Sequence, residues 1–121
     1  MLKTWLIILG VVFLVVGLLG FVNNPVLGVF SVNSLHNLIH IVSGVLALIF
    51  AFQSPSAAKQ FSLVFGIVYA LVFVLGLVAS GFMMSLLNNS MTDNILHLIL
   101  AVVFLIMGMK KTSSSAMPMQ S

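Results

Sequence analysis

Three histidines hold the reactive side chains of this chain. His36 and His40 stand one helical turn apart in "LHNLIH", and His97 follows in "DNILHL". These are all the histidines present, and Asp93, just before His97, is the single acid among 121 residues. Three imidazoles beside a carboxylate can form a three-histidine site for zinc, or one that suits copper or iron. Asp93, four residues before His97, can hold the second nitrogen of that ring, since positions i and i+4 are neighbours on a helix. Alternatively, His40 and His97 on opposing helices can ligate a haem axially. A third chemistry is proton or small-ion handling, because histidine titrates near neutral pH. Tyr69 and Ser43 are then the candidates for a path further in. The reading that asks least is that these groups are interhelical glue, with Asn and His bonding across helices and no cofactor required.

Other chemistries are poorly served. There is no cysteine, so there is no thiolate ligand, Cys nucleophile or disulfide. No His-Glu-x-x-His stands on any helix, and the lone acid leaves no serine triad. No glycine pattern cradles a phosphate. Met83, Met84 and Met91 can suggest a soft copper site, but methionine in a loop against lipid is first an apolar filler. A net charge of +3 with no basic face excludes nucleic acid as a partner.

The elements that must position these residues are set by the solvent. The chain is 62% hydrophobic and 4% charged, far below the roughly 25% charge of a water-soluble domain. It cannot cover itself in water, so its medium is a lipid bilayer. Four apolar segments, about 4–22, 34–52, 61–80 and 92–110, approach the ~20 helical residues that span a bilayer. The expected fold is all-α: one four-helix transmembrane bundle over residues 1–109, followed by a disordered polar cytoplasmic tail at 110–121. The first segment is longer than a signal-peptide core and lacks an A-x-A-like site, so it reads as a retained helix.

Lysines set the orientation. Lys3, Lys59, Lys110 and Lys111 all fall on one side of this topology. The positive-inside rule then puts both termini in the cytoplasm, with Trp5 as an interfacial anchor. The two halves also match each other. "NLIHIVSGV" (37–45) aligns without a gap on "NILHLILAV" (94–102), Asn37 on Asn94 and His40 on His97. Each half is thus a helical hairpin with Asn-x-x-His near the start of its second helix, a pair of parallel repeats.

In the second segment His36, His40, Ser43, Gly44 and Ala47 share one face. Asn33 or Ser34 can cap it. In the fourth, Thr92 or Asp93 can cap. The expected outcome is a polar cluster of Asn33, His36, Asn37, His40, Asp93, Asn94 and His97 at the outer ends of two helices. It acts as glue, binds a small partner, or holds a metal on His36, His40 and His97. The apolar outer faces are satisfied by lipid, by further copies of the chain, or by another membrane protein.

The stretches "VNSLHNLIHIVSGVLAL" and "TDNILHLILAVVFLIMG" resemble a bacterial family of small four-helix membrane proteins known as the domain of unknown function number 4383. The resemblance spans residues 1 to about 109. It is sharpest at "VNSLHNLIH" and "DNILHL", which fit that family's Asn-x-Leu-His-Asn-x-x-His and Asp-Asn-x-x-His elements. The loop "GFMMSLLNNSMTD", rich in Met and Asn, departs from it. The resemblance implies an integral membrane protein with these polar positions, and no activity.

Overall fold

A computed structural model describes residues 1–110. Lys111 and the tail expected to be disordered, apart from Lys110, lie outside the described residues. The fold is all-helical, with α1 (Leu2–Gly20), α2 (Ser34–Gln53), α3 (Pro55–Val78), α4 (Ser80–Leu87) and α5 (Met91–Met109). Four of the five, α1, α2, α3 and α5, are long and apolar enough to cross a membrane, which fits a multi-pass membrane protein. Helices suit that medium because every backbone group is satisfied within the segment.

Two elements differ from the sequence expectation. α3 starts at Pro55 rather than near residue 61. Ser54 ends α2 and caps α3 at once, its side chain accepting from the Ala57 amide, and Pro55 takes the first helical position, where its missing N–H costs nothing. A polar stretch that looks like a loop is therefore the first turn of a helix. The segment at 81–87, read as loop, is helical in α4. Ala79 breaks the chain direction, and Asn88 in the left-handed region ends the helix.

α1 packs closely on α2, and α3 on α5, while contacts between these two pairs are sparser. Close approach is built on glycine. A Cβ placed on Gly44 would lie 2.7 Å from the Gly10 carbonyl oxygen and 3.0 Å from the Leu14 amide nitrogen. The α1 and α2 backbones therefore touch, as small residues permit in lipid. Between the pairs the filling is bulkier. Phe13 and Phe104 stack with centroids 6.1 Å apart, and Phe13 also lies against Tyr69 at 5.6 Å. Leu6 and Phe104 are fully buried.

Lys3 lies over the Phe52 ring, 4.7 Å from its centroid, and the Lys59 ammonium reaches the Lys110 carbonyl at 3.4 Å. The start of α1, the end of α2, the start of α3 and the end of α5 thus share one end of the molecule. At the opposite end, the α1–α2 connection is held by Asn24. Its side chain donates to the Val32 carbonyl at 2.9 Å and accepts from the Val32 amide at 3.2 Å.

The cap of α5 is Ser90, not Thr92 or Asp93. Ser90 accepts from the Asp93 amide at 3.3 Å, and the Asp93 carboxylate accepts from the Ser90 amide and hydroxyl, each at 2.9 Å. This is a reciprocal capping box with the negative charge at the positive end of the helix dipole. Ser90→Ala should cost about 1 kcal/mol in reversible unfolding from mixed micelles, whereas Thr92→Ala at an exposed position should change nothing measurable.

Candidate functional site

The first two turns of α2 bring His36 and His40 towards the end of the molecule away from the lysines. Asn33 caps the first turn, accepting from the His36 amide at 2.9 Å. The Asn33 side-chain amide also donates to the Leu86 carbonyl at 3.0 Å, and His36 Nδ1 donates to the Leu87 carbonyl at 2.9 Å. The last carbonyls of a helix have no partner within it. Here those of α4 are used by the start of α2, so the short helix that looked like loop orients His36. With Nδ1 carrying the proton, His36 Nε2 holds the free lone pair.

His36, His40 and His97 are all buried, at most 3% exposed. The His36 and His40 rings are 4.7 Å apart, edge to face, and His36 and His97 are 5.9 Å apart. One ring nitrogen from each lies within 4.8 Å of the other two. Both nitrogens of His40, and Nδ1 of His97, have no hydrogen-bond partner. Each such group normally costs about 1–3 kcal/mol when left unpaired.

The three rings front a cavity of about 190 Å³, completed by Ser43, Tyr69 and the apolar side chains of Ile39, Phe65, Val68, Val72 and Leu87. Ser43 Oγ and the Tyr69 hydroxyl are 3.4 Å apart. Phe13 packs beside His40 and Tyr69 beside His97, each with centroids 5.7 Å apart.

The other residues of the expected cluster are distributed around this centre in different roles. The expected clasp between Asp93 and His97 is absent: the carboxylate is turned back to Ser90 and bonds no histidine. The i,i+4 spacing allows that pair, but two donors in the capping box outcompete one imidazole. Asn94 donates to the Gly76 carbonyl at 3.2 Å and accepts from Asn89 at 2.7 Å. Asn37 is buried against Gly20, with Oδ1 unpartnered. No asparagine bonds a histidine ring among the described residues. Met83 is buried in the core, while Met84 and Met91 are half exposed or more. The sequence reading missed Asn89 and the Leu87 carbonyl. Asn89 carried a signal, as a third asparagine close to Asn94, whereas a backbone carbonyl carries none.

Comparison with known families matches residues 3–110 to a family described as a domain of unknown function (DUF4383). The match covers most of the chain, and the chain belongs to that family. No curated protein and no solved structure matches it.

Proposed function

We propose that this member of the family is a small multi-pass membrane protein that binds one transition-metal ion, zinc foremost, on His36, His40 and His97. The observation that carries this reading is the convergence of unused imidazole nitrogens in a buried site. Three nitrogens lie within 4.8 Å of one another, and His40 has no other partner. Glue would look different: a structural histidine spends its N–H and its lone pair on neighbours. Tetrahedral ligands about 2.0–2.1 Å from zinc stand roughly 3.3 Å from one another, so the rings must close by at most about 1.5 Å. Rotation about χ2, a broad torsion in histidine, can supply that.

His36 already has the arrangement expected of a ligand, with one nitrogen held by a carbonyl and the other free. Haem fits poorly. A macrocycle between His40 and His97 would need the space of His36, whose nitrogen lies within 4.8 Å of both. Asn33, Asn89, Asn94 and Asp93 do what glue should do, bonding caps, carbonyls and one another. Asp93, buried one turn before His97, also supplies the single negative charge available to offset an ion in a low-dielectric medium.

The architecture proposed with it is a pair of hairpin repeats, α1–α2 and α3–α5. Four matched pairs of residues support it. Asn33 and Ser90 are both N-caps, and Asn37 meets Gly20 as Asn94 meets Gly76. His40 and His97 both face the cavity. The gathering of Lys3, Lys59 and Lys110 at one end favours both termini in the cytoplasm. Cysteines placed at Gly28 and Ala57 should be labelled from opposite sides, Gly28 from outside intact cells. Labelling of Ala57 from outside would reverse the topology.

The direct test is elemental analysis of untagged protein purified in mild detergent without chelator. Zinc near one ion per chain is the expected result. A folded protein free of zinc, copper and iron, and unable to take them up, would overturn the metal reading.

A further inference from the structure

The charges of this chain are segregated along its length. Lys3, Lys59 and Lys110 stand at one end, while the single acid, Asp93, is buried near the start of α5 at the other. The helical rise puts Asp93 about 25 Å from Lys110, and its carboxylate is already taken by Ser90. The lysines are therefore held by neutral groups. The Lys3 ammonium lies over the Phe52 ring, and the Lys59 ammonium donates to the Lys110 carbonyl. An ammonium has three donors, and neither contact removes its charge. Among the described residues, no side chain neutralises any of the three.

Apolar surface borders these groups. Phe52, beneath Lys3, is 64% exposed, and Met109, next to Lys110, is 69% exposed. Both stand at the ends of apolar, membrane-length helices, so their exposed sides meet the bilayer where hydrocarbon gives way to headgroups. A counterion here must carry negative charge and an apolar body together. A soluble anion supplies only the charge, and a zwitterionic lipid brings a positive group beside its phosphate. We infer that this end of the protein binds anionic phospholipid. The headgroup phosphate lies on Lys3 and on the Lys59–Lys110 pair, and the acyl chains lie against Phe52 and Met109. The two close-packed helix pairs each bring one such seat: Lys3 with Phe52 on α1–α2, and Lys59 with Met109 on α3–α5. The inference stands apart from the metal reading, since no histidine takes part.

Brominated acyl chains quench a tryptophan that they touch, so a single tryptophan reports which lipid sits beside it. Trp5, the only one in the chain, is first changed to Phe. In that background Phe52→Trp places the reporter under Lys3. Phe82→Trp places it on α4 at the opposite end, where the native ring is 59% exposed. Each protein is reconstituted in phosphatidylcholine bilayers containing brominated phosphatidylglycerol or, separately, brominated phosphatidylcholine. At position 52, phosphatidylglycerol should be preferred about fivefold, the effect of one lysine near an anionic headgroup. At position 82 the two lipids should quench alike. Lys3→Gln should bring the preference at position 52 close to one, with Lys59 and Lys110 left to hold the orientation. Salt at about 1 M, where the screening length is about 3 Å, should lower it as well. Equal preference at positions 52 and 82, or a preference that survives Lys3→Gln, would overturn the inference. So would a preference erased by millimolar inorganic phosphate at constant ionic strength, which would assign the ammoniums to soluble anions.

Discussion

His40→Ala and His97→Ala should each empty the proposed metal site, and to the same degree. Either change leaves two imidazoles where a stable ion needs at least three protein ligands. Losing a mere supporting partner of a ligand costs about 10–100-fold in affinity, so losing a ligand should cost at least about 100-fold. Metal per chain should fall from near one to near none on gentle purification. The helices should still insert, because neither ring makes a hydrogen bond that holds the fold. Alanine removes the cost of unpaired nitrogens in the metal-free state, so thermal stability without metal should hold or rise. The control is Asn33→Ala, which removes the α2 cap and the bond to the Leu86 carbonyl. It should lower stability by about 1 kcal/mol with much less effect on metal content. If His40→Ala loses the metal and His97→Ala keeps it, the two halves are not equivalent, and His97 is not a ligand.

Gly44→Ala should be strongly destabilising, because among the helical glycines it is the one whose added methyl group comes closest to the backbone of a neighbouring helix. Its Cβ would meet the Gly10 carbonyl oxygen at 2.7 Å and the Leu14 amide nitrogen at 3.0 Å. Both are backbone atoms of α1, so relief requires the helices to move apart rather than a side chain to turn. Overpacking of this kind costs about 1–3 kcal/mol. Separating α1 from α2 also takes His40 with it, since Gly44 lies one turn further along the same helix. The variant should therefore unfold earlier and hold metal more weakly. Gly81→Ala on α4 meets nothing within 4 Å and should match the parent protein in both measurements. Equal stability of Gly44→Ala and Gly81→Ala, read by unfolding in mixed micelles, would mean that the α1–α2 contact is looser than this geometry.

Much of the architecture was legible from composition. A chain with five charged residues in 121 has no choice of solvent, and its apolar runs have the length a bilayer requires. Helix ends were less legible. Ser54 and Pro55 carried a start signal that the polar residues after them masked, and α4 was hidden in a run read as loop. Its eight residues are too few to span a bilayer, and they show no pattern that separates a short helix from a lipid-facing turn. The choice of cap between Ser90 and Thr92 turned on where the break at Asn88 and Asn89 falls, and single-residue boundaries are weakly encoded.

For the site, residue types and spacing alone determined that His36, His40 and His97 are the groups able to act, and that two of them share a helix face. Only the tertiary structure decided what they do with their nitrogens. The spacing of Asp93 and His97 permits a bond, but two donors on Ser90 hold the carboxylate. The lone pair on His36 Nε2 is freed because the Leu87 carbonyl, at the end of a helix from another part of the chain, accepts a hydrogen bond from Nδ1–H. Spacing along one helix limits which groups can meet. Which of them do meet is settled by competition among donors and acceptors brought together by packing, and that competition is decided in three dimensions.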